Sequence, residues 1–239
     1  MRLLTYNIHK GVGGRDRRYR PERIEEVIEE ENPDLVCLQE VVRDARRARH
    51  DNQPRHLARR LNAAGWLFQM NVHYKRGGYG NLLLSRWPLA GRHQISLRMK
   101  EKKPRGAQLA VIETPEGPLH LVNFHLGLAE RERHWQIEHL LTHRLFLESA
   151  ELPTLLAGDT NDWRNTLADG ALREHGFALA THPLSRFRTF PAWMPVGGLD
   201  KAFSRGPIDV RHCRVVRTML AKQASDHLPL VVDFHLEKS

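Results

Sequence analysis

From Leu3 to Ile8 apolar and polar positions alternate: Leu4, Tyr6 and Ile8 share one face, and Leu3, Thr5 and Asn7 the other. A period of two predicts a strand that ends near Asn7. Residues 11–20 are rich in glycine and arginine and read as a loop. Pro21 suits the first position of a helix. Ile24, Val27 and Ile28 give that helix an apolar stripe, and Asn32-Pro33 stops it. Residues 34–39 form a second strand with Glu40 at its end, and a basic helix is predicted over 53–63. Strands are predicted over 66–71, 81–85, 93–97, 107–113 and 119–125, with a turn at Glu116-Gly117-Pro118. The longest helix is predicted over 130–148, where Ile137, Leu140, Leu141 and Leu145 recur at helical spacing. A buried strand over 153–158, a short helix over 167–175 and closing strands over 199–204, 210–216 and 230–236 complete the series.

Alternating βα units together with hairpin-like runs predict an α/β protein of two packed mixed sheets flanked by helices. A single open parallel sheet does not fit, because the middle of the chain offers no crossover helices. No linker, repeat or low-complexity tract interrupts the sequence, so one domain over residues 1–239 is expected. A chain of this length buries roughly 70–75% of its unfolded surface and needs no covalent staples. Cys37 lies in an apolar run and reads as a core residue. Without CxxC spacing, Cys37 and Cys213 suggest neither a disulfide framework nor a zinc site.

The formal net charge is +9, carried largely by arginine, with basic clusters at 15–20, 43–49, 55–60 and 100–105. Such clusters favour phosphate-bearing partners, nucleic acid or anionic lipid, and serve plain solubility equally well. There is no apolar leader and no run long enough to span a membrane, so a cytoplasmic location is expected. No protein partner is predicted.

Candidate chemistry gathers where apolar runs stop. Asn7, Glu40 and His125 each end one. Asp159 and Asn161 follow Leu155-Leu156-Ala157-Gly158 and, two apart, point the same way from an extended segment. Asp200 begins a strand, and Asp226-His227 precedes the last one. Singly, each has an ordinary reading as a turn, cap or satisfied polar residue. Together, carboxylates and imidazoles at one sheet edge are the makings of a site.

Thr-Tyr-Asn-Ile at 5–8, Leu-Gln-Glu at 38–40, Gly-Asn-Leu-Leu-Leu-Ser-Arg at 80–86, Asn-Phe-His-Leu at 123–126, Gly-Asp-Thr-Asn-Asp at 158–162, Leu-Asp at 199–200 and Ser-Asp-His-Leu-Pro-Leu at 225–230 occur in that order. With these motifs the chain resembles the endonuclease/exonuclease/phosphatase superfamily, which includes DNase I, AP endonucleases, sphingomyelinases and inositol-polyphosphate phosphatases. The resemblance implies a four-layered α/β/β/α sandwich and Mg²⁺-dependent phosphoester hydrolysis, with Mn²⁺ as a possible substitute. It makes Glu40 the main metal carboxylate, with Asn7 and Asp226 near the same ion. Asp159 and Asn161 then position the attacking water and the phosphate. His227 is the catalytic histidine, oriented by Asp200, and His125 contacts the phosphate. The chemistry is coherent. A cation on oxygen ligands offsets charge developing on an anionic ester, a neutral imidazole near pH 7 takes a proton from water, and amide or imidazole donors stabilise the phosphoryl oxygens.

Three positions depart from the family pattern. Thr160 stands where Phe or Leu is frequent, which should alter packing rather than chemistry. Gly198 stands where many relatives carry Arg, so the resemblance implies one phosphate or substrate contact fewer here. His125 stands where AP endonucleases have Tyr, which argues against abasic-site specificity. Asn81 and Arg105 are further candidates for substrate contact. His139 and His143 have i, i+4 spacing but no HExxH glutamate, so a histidine pair without zinc is expected. Gly77-Gly78-Tyr79-Gly80 reads as a ligand-approaching loop or a hairpin turn. The segment 183–198, with Phe187, Phe190, Trp193 and Met194, reads as a loop lining the groove or folded on itself. The resulting expectation is a Mg²⁺-dependent phosphohydrolase, a phosphodiesterase acting on a lipid headgroup or small phosphoester by in-line water attack. The alternatives are a DNA or RNA nuclease and an inactive phosphate-binding module.

Overall fold

The computed structural model describes residues 1–237, the side chain of Arg47 excepted. In chain order the strands are β1 (Arg2–Asn7), β2 (Leu35–Arg43), β3 (Gly65–His73), β4 (Gly78–Ser85), β5 (Leu89–Ser96) and β6 (Gly106–Thr114). They continue with β7 (Gly117–His125), β8 (Thr154–Asp159), β9 (Ala178–Leu179), β10 (Asp200–Arg205), β11 (Ile208–Val215) and β12 (Leu230–Leu236). The helices are α1 (Pro21–Glu31), α2 (Gln53–Arg60), α3 (Glu130–Thr142), α4 (Arg144–Leu147), α5 (Thr166–Asp169), α6 (Ala171–Glu174) and α7 (Met219–Ala224).

The strands form two six-stranded mixed sheets, ordered β11-β12-β1-β2-β4-β3 and β5-β6-β7-β8-β10-β9. Ile24, Val27 and Ile28 of α1, Leu57 and Ala58 of α2, and Ala221 and Ala224 of α7 pack with the first sheet. Ile137, Leu140 and Leu141 of α3, with Phe146, Leu167 and Leu172 of the short helices, cover the second. The result is the expected α/β/β/α order of layers. No helix among the described residues is long and apolar enough to cross a membrane.

Between the sheets the strand faces change character along their length. Leu119 and Leu121 of β7 belong to the core, and two residues on Asn123 is buried in a polar link between the sheets. Its amide donates to the Leu38 and Leu82 carbonyls, each at 3.1 Å, and to Gln108 Oε1 at 2.9 Å, while Gln39 donates to its Oδ1 at 2.9 Å. Asn123, paired at both its amide nitrogen and its oxygen, joins the sheets without burying charge, while Gln39 keeps its Oε1 buried and unpartnered. Another step along β7 is His125. In β8 the same face runs Leu155, Ala157, Asp159. Both strands are thus apolar at one end and reactive at the other.

Several elements differ from the sequence-based expectation. The helix expected over 130–148 breaks at His143, whose backbone is extended (φ −69°, ψ 136°) and whose Nδ1 accepts from the Leu145 N–H to start α4. The helix expected over 167–175 is two single turns separated by Gly170. The glycines at 78 and 80 form neither a loop nor a turn but lie inside β4. A Cβ on Gly80 would come within 1.8 Å of the Gln69 carbonyl, so only glycine lets β3 and β4 approach this closely. The basic helix stops at Arg60, and the two-residue strand β9 carries too little pattern to be read from sequence.

Candidate active site

Glu40 lies inside β2 at a bulge, where the register with β4 shifts between Leu38 and Val41. Its φ of 58° is left-handed, an uncommon conformation for a non-glycine residue within a strand. The bulge turns its carboxylate, 12% exposed, onto the ammonium of Lys10. Lys10 follows β1 in a short 3-10 turn, itself left-handed at φ 63°. Gln53 pins that turn, donating to the Lys10 carbonyl at 3.0 Å and accepting from the Val42 N–H at 2.8 Å. Lys10 Nζ is 4.8 Å and Lys103 Nζ 5.5 Å from the Tyr79 ring centroid. Burial pushes the Glu40 carboxyl up, but Lys10, Lys103 and Arg105 outweigh it and hold the group below its ordinary value.

Asn7, at the end of β1, crosses to the second sheet. Its Nδ2 donates to Asp159 Oδ2 at 2.9 Å, and its Oδ1 accepts from the His9 N–H at 3.1 Å. His9 Nδ1 lies 3.8 Å from Asp226 Oδ1. Residues 7–10 therefore connect Glu40, Asp159 and Asp226. Asp159 ends β8, fully buried, and also accepts from the Asn161 N–H at 2.9 Å. Asn161 adopts φ 50° and gives its side-chain amide to the Leu126 carbonyl at 2.9 Å. Thr160, beside Asp159, donates its hydroxyl to the Leu199 carbonyl at 2.7 Å, tying this loop to the start of β10.

Asp200 pairs in register with Asp159 across the β8–β10 ladder. Its Oδ2 meets His227 Nδ1 at 2.8 Å, and the other nitrogen, Nε2, lies 3.8 Å from Asp159 Oδ2. His125 Nε2 is 3.4 Å from the same oxygen. The electrostatics separate the two imidazoles. Burial, followed by Arg105, His227, Lys103 and Lys10, drives His125 well below its ordinary value, so it stays neutral. Burial opposes a proton on His227 as well, but Asp200 and Asp159 overcome it and raise the group to about 10. Burial raises Asp159 to about 6, with Asp200 adding to it and His227 and Asn7 opposing. The two carboxylates therefore favour a proton on His227, whereas His125 has no such carboxylate support among its causes.

The eight residues Asn7, Glu40, His125, Asp159, Asn161, Asp200, Asp226 and His227 thus converge through these contacts. Arg105 is buried, with Nε lacking a partner, close enough to influence both Glu40 and His125. Asn81 gives its amide to the Gly106 carbonyl at 2.8 Å, next to Arg105, and its Oδ1 is buried without a partner. The aromatic segment divides: Phe187 is buried, Phe190 packs on His227 at 4.9 Å between ring centroids, and Trp193 and Met194 face outward. His139 stacks on Trp135 at 4.9 Å and meets His143 edge-on, so the pair is engaged with neighbouring rings. Sequence reasoning missed Lys10 and Lys103. Lys10 carried a signal, three residues beyond Asn7 in the turn that leaves that strand.

Two groupings offer donors for a cation. Glu40 offers largely covered carboxylate oxygen facing positive charge, and the Lys10 ammonium acts there as a stand-in cation. That fits the oxygen-only ligand set of a hard divalent ion. Asp159, Asp200 and His227 also bring ligand atoms within 4.8 Å of one another. In that group the 2.8 Å imidazole–carboxylate hydrogen bond is geometry suited to holding a proton.

Two stacked mixed sheets with carboxylates, amides and imidazoles converging at strand ends define a DNase I-like sandwich. The chain belongs to the Endonuclease/Exonuclease/phosphatase family, whose family model matches residues 4–227. It is 29% identical over 251 residues to the protein YbhP of Escherichia coli K12, covering 98% of this chain and 96% of that one. The crystal structure of an endonuclease/exonuclease/phosphatase from Beutenbergia cavernae is 26% identical with a TM-score of 0.79, covering 99% of this chain and 71% of that one. A mannosyl-6-phosphatase of Bacteroides thetaiotaomicron shares the fold, with a TM-score of 0.77 at 15% identity over 98% of this chain and 99% of that one. Members of this superfamily are phosphoester hydrolases and generally use a divalent metal.

Proposed function

We propose that the protein is a Mg²⁺-dependent phosphodiesterase, with Mn²⁺ as a substitute, that cleaves a lipid headgroup or small phosphoester by in-line attack of water. The whole chain, residues 1–239, would act as one catalytic domain. The reading rests on one observation above all: a largely covered carboxylate, Glu40, under the charge of Lys10, Lys103 and Arg105, beside Asp159 and the Asp200–His227 hydrogen bond. Glu40, with Asn7 and Asp226, would hold the cation. Bound there, a divalent ion supplies charge compensation for the anionic ester. Asp159, at about 6, is the group able to accept a proton from water near neutral pH, and Asn161 fixes its orientation. Protonated His227, held by Asp200, and neutral His125 would offer N–H donors to the phosphoryl oxygens. Asn81 and Arg105 remain candidates for substrate contact, the latter through its unpaired Nε.

A nuclease is the second reading, supported by the arginine-rich composition and net charge of +9. The deciding measurement is hydrolysis of bis-p-nitrophenyl phosphate, then of phospholipids, small phosphoesters and nucleic acids, with Mg²⁺ or Mn²⁺ and after chelation. Turnover that EDTA abolishes and Mg²⁺ restores is expected. Full turnover after exhaustive chelation rules out the metal. No turnover of any ester leaves only a phosphate-binding module.

A further inference from the structure

Half of the large apolar side chains exposed among the described residues lie in three neighbouring loops. Leu128, Trp163, Trp193, Met194 and Val196 are 74%, 56%, 47%, 64% and 54% exposed. All five lie in loops that leave the site: 126–129 after His125, 160–165 after Asp159, and 190–197 before Asp200. The Trp163 ring covers Gly197, where a Cβ would come within 2.6 Å of it, and stands edge-on to Phe190 at 6.0 Å. The Leu128 carbonyl accepts from Arg133, which reaches to within 3.6 Å of Asp162, the neighbour of Trp163. These residues therefore rim the mouth on the His227 side.

The outermost part is preformed. Phe190 and Gly197 exchange backbone hydrogen bonds of 3.0 and 2.8 Å, and the Ala192 N–H donates to the Asp226 carbonyl at 2.7 Å. The tip of this hairpin-like loop, Trp193-Met194-Pro195-Val196, is held outward instead of folding onto the core. Residues 181–199 contain no acidic side chain and carry exposed Arg186 and Arg188. Arg131 and Arg164 are exposed in or beside the other two loops, against exposed Glu130 and Asp169.

We propose that this rim docks on an anionic lipid bilayer and sets the mouth of the site at headgroup depth. Indole rings prefer the membrane interface, apolar tips gain by entering the acyl boundary, and flanking arginines are drawn to anionic lipid. Single-stranded nucleic acid fits less well, because base stacking needs π-faces and Leu128, Met194 and Val196 have none. What would be cleaved there rests on the phosphoesterase reading; the docking does not.

Cosedimentation with phosphatidylcholine vesicles and with phosphatidylcholine–phosphatidylglycerol vesicles tests it. The wild-type protein is expected to sediment with the anionic vesicles. W193A/M194A and, separately, Met194→Glu should reduce that partition about tenfold or more. Because these side chains are exposed, the circular-dichroism melting curve should not move. Wild-type protein that stays in the supernatant with both vesicles, or variants that bind as tightly as wild type, would overturn the proposal. So would a single-stranded oligonucleotide that displaces the vesicles and loses affinity in the same variants. Vesicle binding without hydrolysis of any ester would leave the docking intact and remove the phosphoesterase reading. Hydrolysis without vesicle binding would do the reverse.

Discussion

Glu40 and Asp159 stand at the same end of two facing sheets, and their surroundings push them in opposite directions. Glu40 meets three cations and is held ionised. Asp159 is fully buried beside a second carboxylate and titrates near neutrality, at about 6. Burial raises both; the difference comes from the company each keeps. One carboxylate is prepared to face positive charge and the other to exchange a proton. The contrast divides the site into a charge-holding half, built from β2 and the turns carrying Lys10 and Lys103, and a proton-handling half, built from β8, β10 and the Asp226-His227 turn.

The harshest way to break the comparison is to neutralise the charge-holding half. Glu40→Gln keeps the shape but removes the carboxylate. Loss of several kcal/mol of transition-state stabilisation should lower turnover by about 10³–10⁵-fold and weaken Mg²⁺ binding. Steady-state kinetics and calorimetric titration read both, and a turnover loss under about tenfold would move the cation elsewhere.

Breaking the other half should spare the metal. His227→Ala is expected to slow turnover about 10²–10⁴-fold with Mg²⁺ affinity nearly unchanged. Asp200→Asn should also slow it, by withdrawing the carboxylate that favours the proton on His227. The double variant should be little worse than His227→Ala, since groups acting as a unit are not additive. Multiplicative losses would assign Asp200 a separate task.

The pH profile sharpens the contrast more gently. Activity should rise as Asp159 ionises, through about 6, and fall as His227 loses its proton, through about 10. These limbs belong to the coupled group as a whole. Asp200→Asn should draw the alkaline limb down toward the ordinary histidine value of about 6.5. An unmoved limb would mean that Asp200 does not sustain the proton.

The smallest expected effect is on stability. Lys10→Met strands Glu40, and breaking a buried pair costs about 3–5 kcal/mol, fewer where water still reaches the group, as it does here at 12% exposure. A lowered carboxyl value stabilises the fold above the unfolded value of about 4.3 and loses that contribution as pH falls through the folded one. Denaturation midpoints of Lys10→Met and wild type should therefore differ at pH 7 and converge in acid. A constant difference would show that Lys10 acts through packing alone.

The proton-handling half was legible in the sequence because each member abuts an apolar run. Leu155 to Asp159 and Leu121 to His125 announce both a strand and the residue at its tip. The ordered motifs did the rest, and the two-sheet sandwich followed from hairpin runs without crossover helices. The charge-holding half was legible only at Glu40. Lys10 was signalled only by its place just beyond Asn7, and Lys103, in a segment with no periodicity, by nothing at all. Overlong helix 130–148 misled for a related reason. The apolar spacing continues past His143, while the break depends on that ring capping the next turn. Residues 77–80 read as a ligand-approaching loop or a turn because the role of Gly80, a clash avoided with a neighbouring strand, is invisible in one dimension.

The register that sets Asp159 opposite Asp200 makes this edge of the molecule a standing trade-off. Like charges facing across a ladder weaken it, and a buried carboxyl raised to about 6 makes the fold less stable as pH climbs toward neutrality. An amide at position 159 relieves both. A library of variants screened only for survival of heating should therefore drift toward Asn there, yielding a sturdier protein that no longer turns over substrate. Under the proposed mechanism, resistance to heat and the capacity to move a proton are opposed at a single pair of facing residues.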